Sequence, residues 1–139
     1  PPPATPPPPP RNGNCATPID LTSLPSPYTD TTSGAANDDT STSAPDLIFT
    51  YLLPPRSTIT LQQITNTYDS FHILRYGGEC PGSNTIARVD DSDYTPVTWA
   101  NTLDSAQTVY YIQSGYSMGA GTFTLSWNVT QYTGTLLPS

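Results

Sequence analysis

One stretch of this chain, GTFTLSWNVTQ from Gly121 to Gln131, alternates without a break: Phe123, Leu125, Trp127 and Val129 fall on one side, and Thr122, Thr124, Ser126, Asn128 and Thr130 on the other. A helix would scatter these residues around its circumference. A strand places every second side chain on one face, so the segment reads as a half-buried strand with a wet outer face. The same period recurs in PDLIFTYLL (Leu47, Phe49, Tyr51), STITLQQI (Ile59, Leu61), SFHILRY (Phe71 and Ile73 against His72 and Leu74), PVTWA (Val97, Trp99) and QTVYYIQ (Val109, Tyr111). ATPIDL and NTIARV, around Ile86, are weaker versions. Turn-forming residues separate the runs: Pro54-Pro55, Asn66 to Asp69, Gly77-Gly78, Pro81-Gly82, Asp90 to Asp93 and Gly119 to Gly121.

Seven to nine short strands at this spacing, with no helical period, predict an all-β fold: an antiparallel β-sandwich of the jelly-roll kind. Residues 24–44, polar and punctuated by Pro and Gly, read as a surface loop holding at most one short edge strand. The expected organisation is a leader at 1–14, a sandwich at 15–132 and a tail or linker at 133–139. With 139 residues in all, one domain is expected.

The leader is of another kind. Eight of its first ten residues are proline (Pro1, Pro2, Pro3, Pro6, Pro7, Pro8, Pro9 and Pro10). Proline lacks the amide hydrogen and fixes φ, so neither a helix interior nor a sheet ladder accepts such a run. Polyproline II is the conformation left to it, a rod of roughly 30 Å at about 3.1 Å per residue. A preformed rod loses little entropy on docking, and aromatic grooves receive it. Tyr28, Tyr76, Tyr94, Tyr110, Tyr116 and Tyr132 are the candidate docking rings, in a chain with nine Tyr and 11% charged residues.

Charge excludes one partner class. There is no lysine, the four arginines (Arg11, Arg56, Arg75, Arg88) are scattered, and the net charge is −7, a balance that repels phosphate backbones. No run approaches the roughly 20 apolar residues of a membrane-spanning helix. With no initiator Met and no signal pattern, the chain reads as a processed product or a segment of a longer one. Abundant Ser and Thr, the proline leader and the sequon Asn128-Val129-Thr130 suit a secreted glycoprotein. Cys15 and Cys80 fit the same compartment if they pair. Two buried free thiols, or a link to a neighbouring chain, are the alternatives.

In order along the chain, CATPIDLTSLPSPY, AANDD, APDLIFTYLL, YDSFHILRYGGECPG, a DD pair, VYYIQSGYS and GTFTLSW resemble the bacterial pre-peptidase C-terminal domain, a β-sandwich appended to secreted enzymes. LTSLPSPY and RYGGECPG are similar to the version found in extracellular-matrix and flagellar-hair proteins of green algae, where polyproline segments carry hydroxyproline and short glycans. The resemblance covers about residues 15 to 130, with RYGGECPG its most specific part. It implies an extracellular architectural module, not a catalyst. Relatives often have two further cysteines, just before the PD and DD pairs, where this chain has Ser43 or a neighbour and Val89 or Arg88.

Catalytic constellations are poorly supplied. GYSMG (Gly115 to Gly119) matches the G-x-S-x-G nucleophile elbow, but that elbow needs a following helix and a later Asp and His. Here a strand pattern follows, and His72, the sole histidine, precedes Ser117. Asp90, Asp91 and Asp93 are the best metal candidates, with Asp38, Asp39, Asp46 and Asp69 on loops that a sandwich could gather; calcium would take six to eight such oxygens. VDDSDYTP lacks EF-hand spacing, and Asx-turn and turn-capping roles are the more frequent explanation, so no cofactor is expected. The expectation is a non-enzymatic structural subunit of an extracellular filament, assembling by docking of the polyproline segment on a neighbouring copy. The alternative is a carbohydrate- or substrate-binding accessory module of a secreted enzyme.

Overall fold

A computed structural model describes residues 12–90 and 92–132. Among the described residues nine strands form two sheets: β1 (Ile19–Asp20), β2 (Tyr28–Thr31), β3 (Leu47–Leu53), β4 (Ser57–Asn66), β5 (Ser70–Tyr76), β6 (Asn84–Val89), β7 (Val97–Asn101), β8 (Gln107–Gly115) and β9 (Thr122–Gln131). The five-stranded sheet has the order β1-β3-β8-β5-β6 and the four-stranded sheet β2-β9-β4-β7. Every expected run became a strand, and the edge strand in the 24–44 loop is β2.

The pairing defines the topology. β2 pairs with β9, β3 with β8, β4 with β7 and β5 with β6, all antiparallel. The chain is thus one long ribbon folded on itself at β5–β6 and rolled so that β4 meets β9 and β5 meets β8. That is a jelly roll. Its one parallel element is β1, two residues beside Phe49 and Thr50 of β3, which the expected antiparallel plan did not include. Asp20 closes β1 by accepting the Thr22 amide hydrogen (3.0 Å) and capping a single 3-10 turn at Leu21–Ser23.

Between the sheets lie Leu47, Phe49, Leu53, Leu74, Val109 and Tyr111 from one side, and Ile59, Leu61, Val97, Phe123 and Leu125 from the other. Phe49 meets Phe123 edge to face at 6.1 Å. The outer face of the five-stranded sheet is also covered. Ile48, Ile73, Tyr110 and Ile112 pack there under Cys15 and Cys80, which form a disulfide closing a 65-residue separation. Burial on both faces explains why β8 is buried continuously from Val109 to Gly115. Gly13 already belongs to the body: its carbonyl accepts from the Ile48 amide (2.7 Å) and a β-carbon there would meet Leu47. The leader prolines, Asp91 and residues 133–139 lie outside the described residues.

Candidate functional site

The described chain enters and leaves at opposite ends of the sandwich. Gly13 is bonded to Ile48 at the start of β3, whereas the amide of Tyr132 donates to the carbonyl of Arg56 (2.7 Å) in the turn after β3. The two points are separated by the length of β3, roughly 20 Å at about 3.3 Å per residue.

A cleft of about 380 Å³ opens at the exit end, walled by Arg56, Thr58, Ala100, Thr102, Asp104 and Tyr132 among others. Asn101 builds it. Its buried side-chain amide donates to the carbonyls of Leu53, Pro54 and Ser105 (3.0 to 3.2 Å), and its oxygen accepts the Leu103 amide hydrogen. The β3–β4 and β7–β8 turns are thereby tied together. Arg56 stands at φ 59°, a left-handed conformation unusual for a side chain of this size, and is held there by its amide's bond to the Asn101 carbonyl (2.8 Å). Next to it, Ser57 keeps a buried hydroxyl without a partner. Leu52, Leu103 and Tyr132, all exposed, surround this end. The cleft thus offers one ring, apolar surface, hydroxyls and a guanidinium.

The six expected docking rings do not form one surface. Tyr132 lies in the cleft wall. Tyr76 is stacked on Trp99 (centroids 4.3 Å, 14°), while Tyr28 packs its ring edge-on to Phe49 and donates its hydroxyl to Asp30 (2.6 Å). Tyr94, on the β6–β7 loop, and Tyr116, on the β8–β9 turn, are exposed at the entry end. Tyr110 corrects the expectation: it is 7% exposed, buried beside the disulfide, with its hydroxyl donated to the Gly78 carbonyl (2.9 Å). Alternation placed it on the outer face rightly; the loop over that face is what buries it.

GYSMG is the β8–β9 turn, closed by the Gly119 amide donating to the Tyr116 carbonyl (2.9 Å), and Ser117 sits in it at φ 56°. A strand follows it, not a helix. His72 faces the core. Burial is the main reason its ring is held below the ordinary 6.5, against the opposing effects of the Thr95 carbonyl and Asp93. The Nε2 hydrogen goes to the Thr95 carbonyl (3.2 Å), and Nδ1 faces Gln63 Nε2 at 3.4 Å, whose two hydrogens have shorter partners.

His72 belongs to a buried polar network between the sheets. Gln113 Nε2 donates to Gln63 Oε1 and to the Tyr68 hydroxyl (both 2.8 Å), and Gln113 Oε1 accepts from the Tyr111 hydroxyl (2.9 Å). Gln63 Nε2 reaches Ser70 Oγ (2.8 Å) and the Asp93 carbonyl (2.9 Å), and Asp93 Oδ1 takes both the amide and the hydroxyl of Ser70. These bonds satisfy one another, so the network fixes sheet alignment. Burial pushes the Tyr68 hydroxyl up to about 12.

The acidic residues separate into different roles. Asp93 supports the network. Asp38, Asp39 and Asp46 do come together, but Asp46 spends its oxygens on the amides of Asp38 and Asp39, and Asp39 pairs with Arg75 at 3.0 Å. Among the described residues no three acidic, His or Cys side chains are grouped to hold a metal ion. Asp90 borders a hollow with Phe71, Tyr116 and Ser41 to Ser43. Sequence reasoning missed Arg56 and Asn101; the Pro54-Pro55-Arg56 turn was the available signal. Comparison with protein-family models, curated proteins and solved structures finds no match to this chain.

Proposed function

We propose that this chain is a structural module of an extracellular glycoprotein filament, in which copies are arranged in series and the polyproline leader of one engages the cleft of the next. The observation that carries the reading is the placement of entry and exit at opposite ends, with the cleft at the exit. A leader attached at one end of a copy is then placed to meet the far end of its neighbour, a head-to-tail contact that repeats without closing.

Chemistry and charge support the same direction. A polyproline rod presents pyrrolidine faces and free carbonyls but few donors. Its complement is a ring plus donors, and the cleft supplies Tyr132 with the Arg56 guanidinium and threonine hydroxyls. All eleven acids lie beyond residue 14, so the body carries −8 and the leader, through Arg11, +1, which sums to the chain's −7. Bodies repel each other, and the leader is the segment that approaches without that penalty.

The test compares the full chain with a deletion of residues 1–10 by light scattering and negative-stain microscopy. Polymers from the full chain and monomers from the deletion are expected, with Tyr132→Ala between them. Polymers of unchanged length after deletion would overturn the reading, as would a monomeric full chain that binds glycans, the behaviour of an accessory module.

A further inference from the structure

The outer face of the four-stranded sheet has no assigned role, and its composition is unusual. Thr29 and Thr31 of β2, Thr58, Thr60 and Gln62 of β4, Thr98 and Ala100 of β7, and alternate residues of β9 make a face with no charge and, apart from the exposed Ile64 at the β4 bulge, no large apolar side chain. Neighbours on it pair off: Thr60 with Thr98 at 3.0 Å, and Thr29 with Thr124 at 2.8 Å. Asn128 is different. It stands opposite Thr60, on β9, an interior strand of the sheet. Its side chain is exposed and, like that of Thr130 two residues on, takes part in none of these bonds.

We propose that Asn128 carries an N-linked glycan whose first sugars lie over this threonine-lined face, making it a carbohydrate-covered surface and not a protein contact. Three observations converge: the Asn-Val-Thr acceptor triplet, an amide nitrogen with no competing partner, and a surrounding platform of hydroxyls and amides that can hydrogen-bond sugar. In the transfer, the Asn128 amide nitrogen attacks the anomeric carbon of a lipid-pyrophosphate-linked oligosaccharide. The nitrogen–carbon bond forms as the carbon–oxygen bond to pyrophosphate breaks, the amide loses one proton to the transferase, and the lipid pyrophosphate leaves.

The position has a steric consequence. Sheets that stack face to face lie about 10 Å apart, which leaves no room for a sugar rising from an interior strand. Copies of the glycosylated chain therefore cannot stack through this face, and contacts are left to edges and ends. The inference does not rest on the serial-assembly reading, since a monomer would carry the same glycan.

The experiment is secretion of the full chain from a eukaryotic host, followed by peptide mass spectrometry with and without N-glycosidase, which converts a glycosylated Asn128 to Asp. Modification is expected in the parent and in Thr130→Ser, and its loss in Thr130→Ala and Asn128→Gln. An unmodified Asn128 in the secreted parent, or a glycan that survives Thr130→Ala, would overturn the site. Hydroxyl-radical footprinting then tests the covering: labelling of the β4 and β7 peptides should rise several-fold in Thr130→Ala while Tyr116 is unchanged. Equal labelling of β4 and β7 would overturn it.

Discussion

Replacing both Cys15 and Cys80 by serine removes a cross-link with a sequence separation of 65 residues. In the chain-entropy model a loop of that length costs the unfolded chain roughly 14 cal/mol/K, so the bridge contributes about 4 kcal/mol at 25 °C. That is a large share of the roughly 5–15 kcal/mol expected for a domain of this size. A second effect acts in the folded state. The sulfurs pack on Ile48, Ile73, Tyr110 and Ile112, and without them residues 13–17 and 77–82 depend on hydrogen bonds such as Gly13 to Ile48, Gly77 to Thr108, Tyr110 to Gly78 and the Asp38 bond to the Cys15 amide. Urea unfolding of the oxidised parent and the double variant measures the sum, and binding of a hydrophobic dye under native conditions reports whether the outer face opens. The expectation is a loss of about 4 kcal/mol with added dye binding in the variant. A loss below about 1 kcal/mol would refute both the loop-closure account and the role of the bridge as a clamp on this face.

Gln113→Leu strands the Tyr111 hydroxyl and one acceptor position on Gln63; a loss of about 2–4 kcal/mol is expected by thermal or urea unfolding. Adding Tyr111→Phe should recover part of it, and strictly additive losses would show that the residues do not act as a network. Arg56→Gly relieves the left-handed penalty, raising stability by about 1 kcal/mol while weakening end-to-end assembly. For His72, held below 6.5 in the fold, the unfolded chain binds the extra proton: stability is complete above pH 6.5 and falls as pH drops from there toward the folded value. Asp46, raised from 3.8 to about 6 chiefly by burial and further by Asp39 and Asp38, acts with the opposite sign, adding stability as pH falls from about 6 to 3.8. Asp46→Asn should therefore steepen the acid loss below pH 6, and an unchanged profile would reject the assignment.

Strands were legible wherever one face is wet. β9 keeps its alternation because its threonines meet solvent and its Phe123 and Leu125 meet the other sheet. β8 is less transparent: Val109 and Tyr111 face the core, but Tyr110 and Ile112 are buried too, under a loop whose path depends on a cysteine 65 residues away. No local pattern carries that information. The polar network was half visible, since Gln63 and Gln113 share parity with Leu61 and Tyr111 and so had to point inward. What parity could not reveal is that they meet, because that follows from sheet packing. The exit cleft was least legible, being made by a left-handed Arg56 and by Asn101 bonding to backbone carbonyls, interactions with no signature in side-chain type.

The two sheets solve the problem of their outer faces differently, and the difference bears on assembly. The five-stranded sheet carries isoleucines outward and needs a lid, supplied by the disulfide and by the loop whose Asp39 grips Arg75. The four-stranded sheet carries threonines outward and needs none. A covered face and a hydrophilic face both oppose lateral association, and the negative body adds repulsion in every direction. Exposed apolar side chains gather instead at the ends, with Leu52, Leu103 and Tyr132 at the exit and Ile64, Tyr94, Tyr116 and Met118 toward the entry. Contacts that exclude apolar surface from water are therefore available along one axis of the module, the axis that joins Gly13 to the cleft.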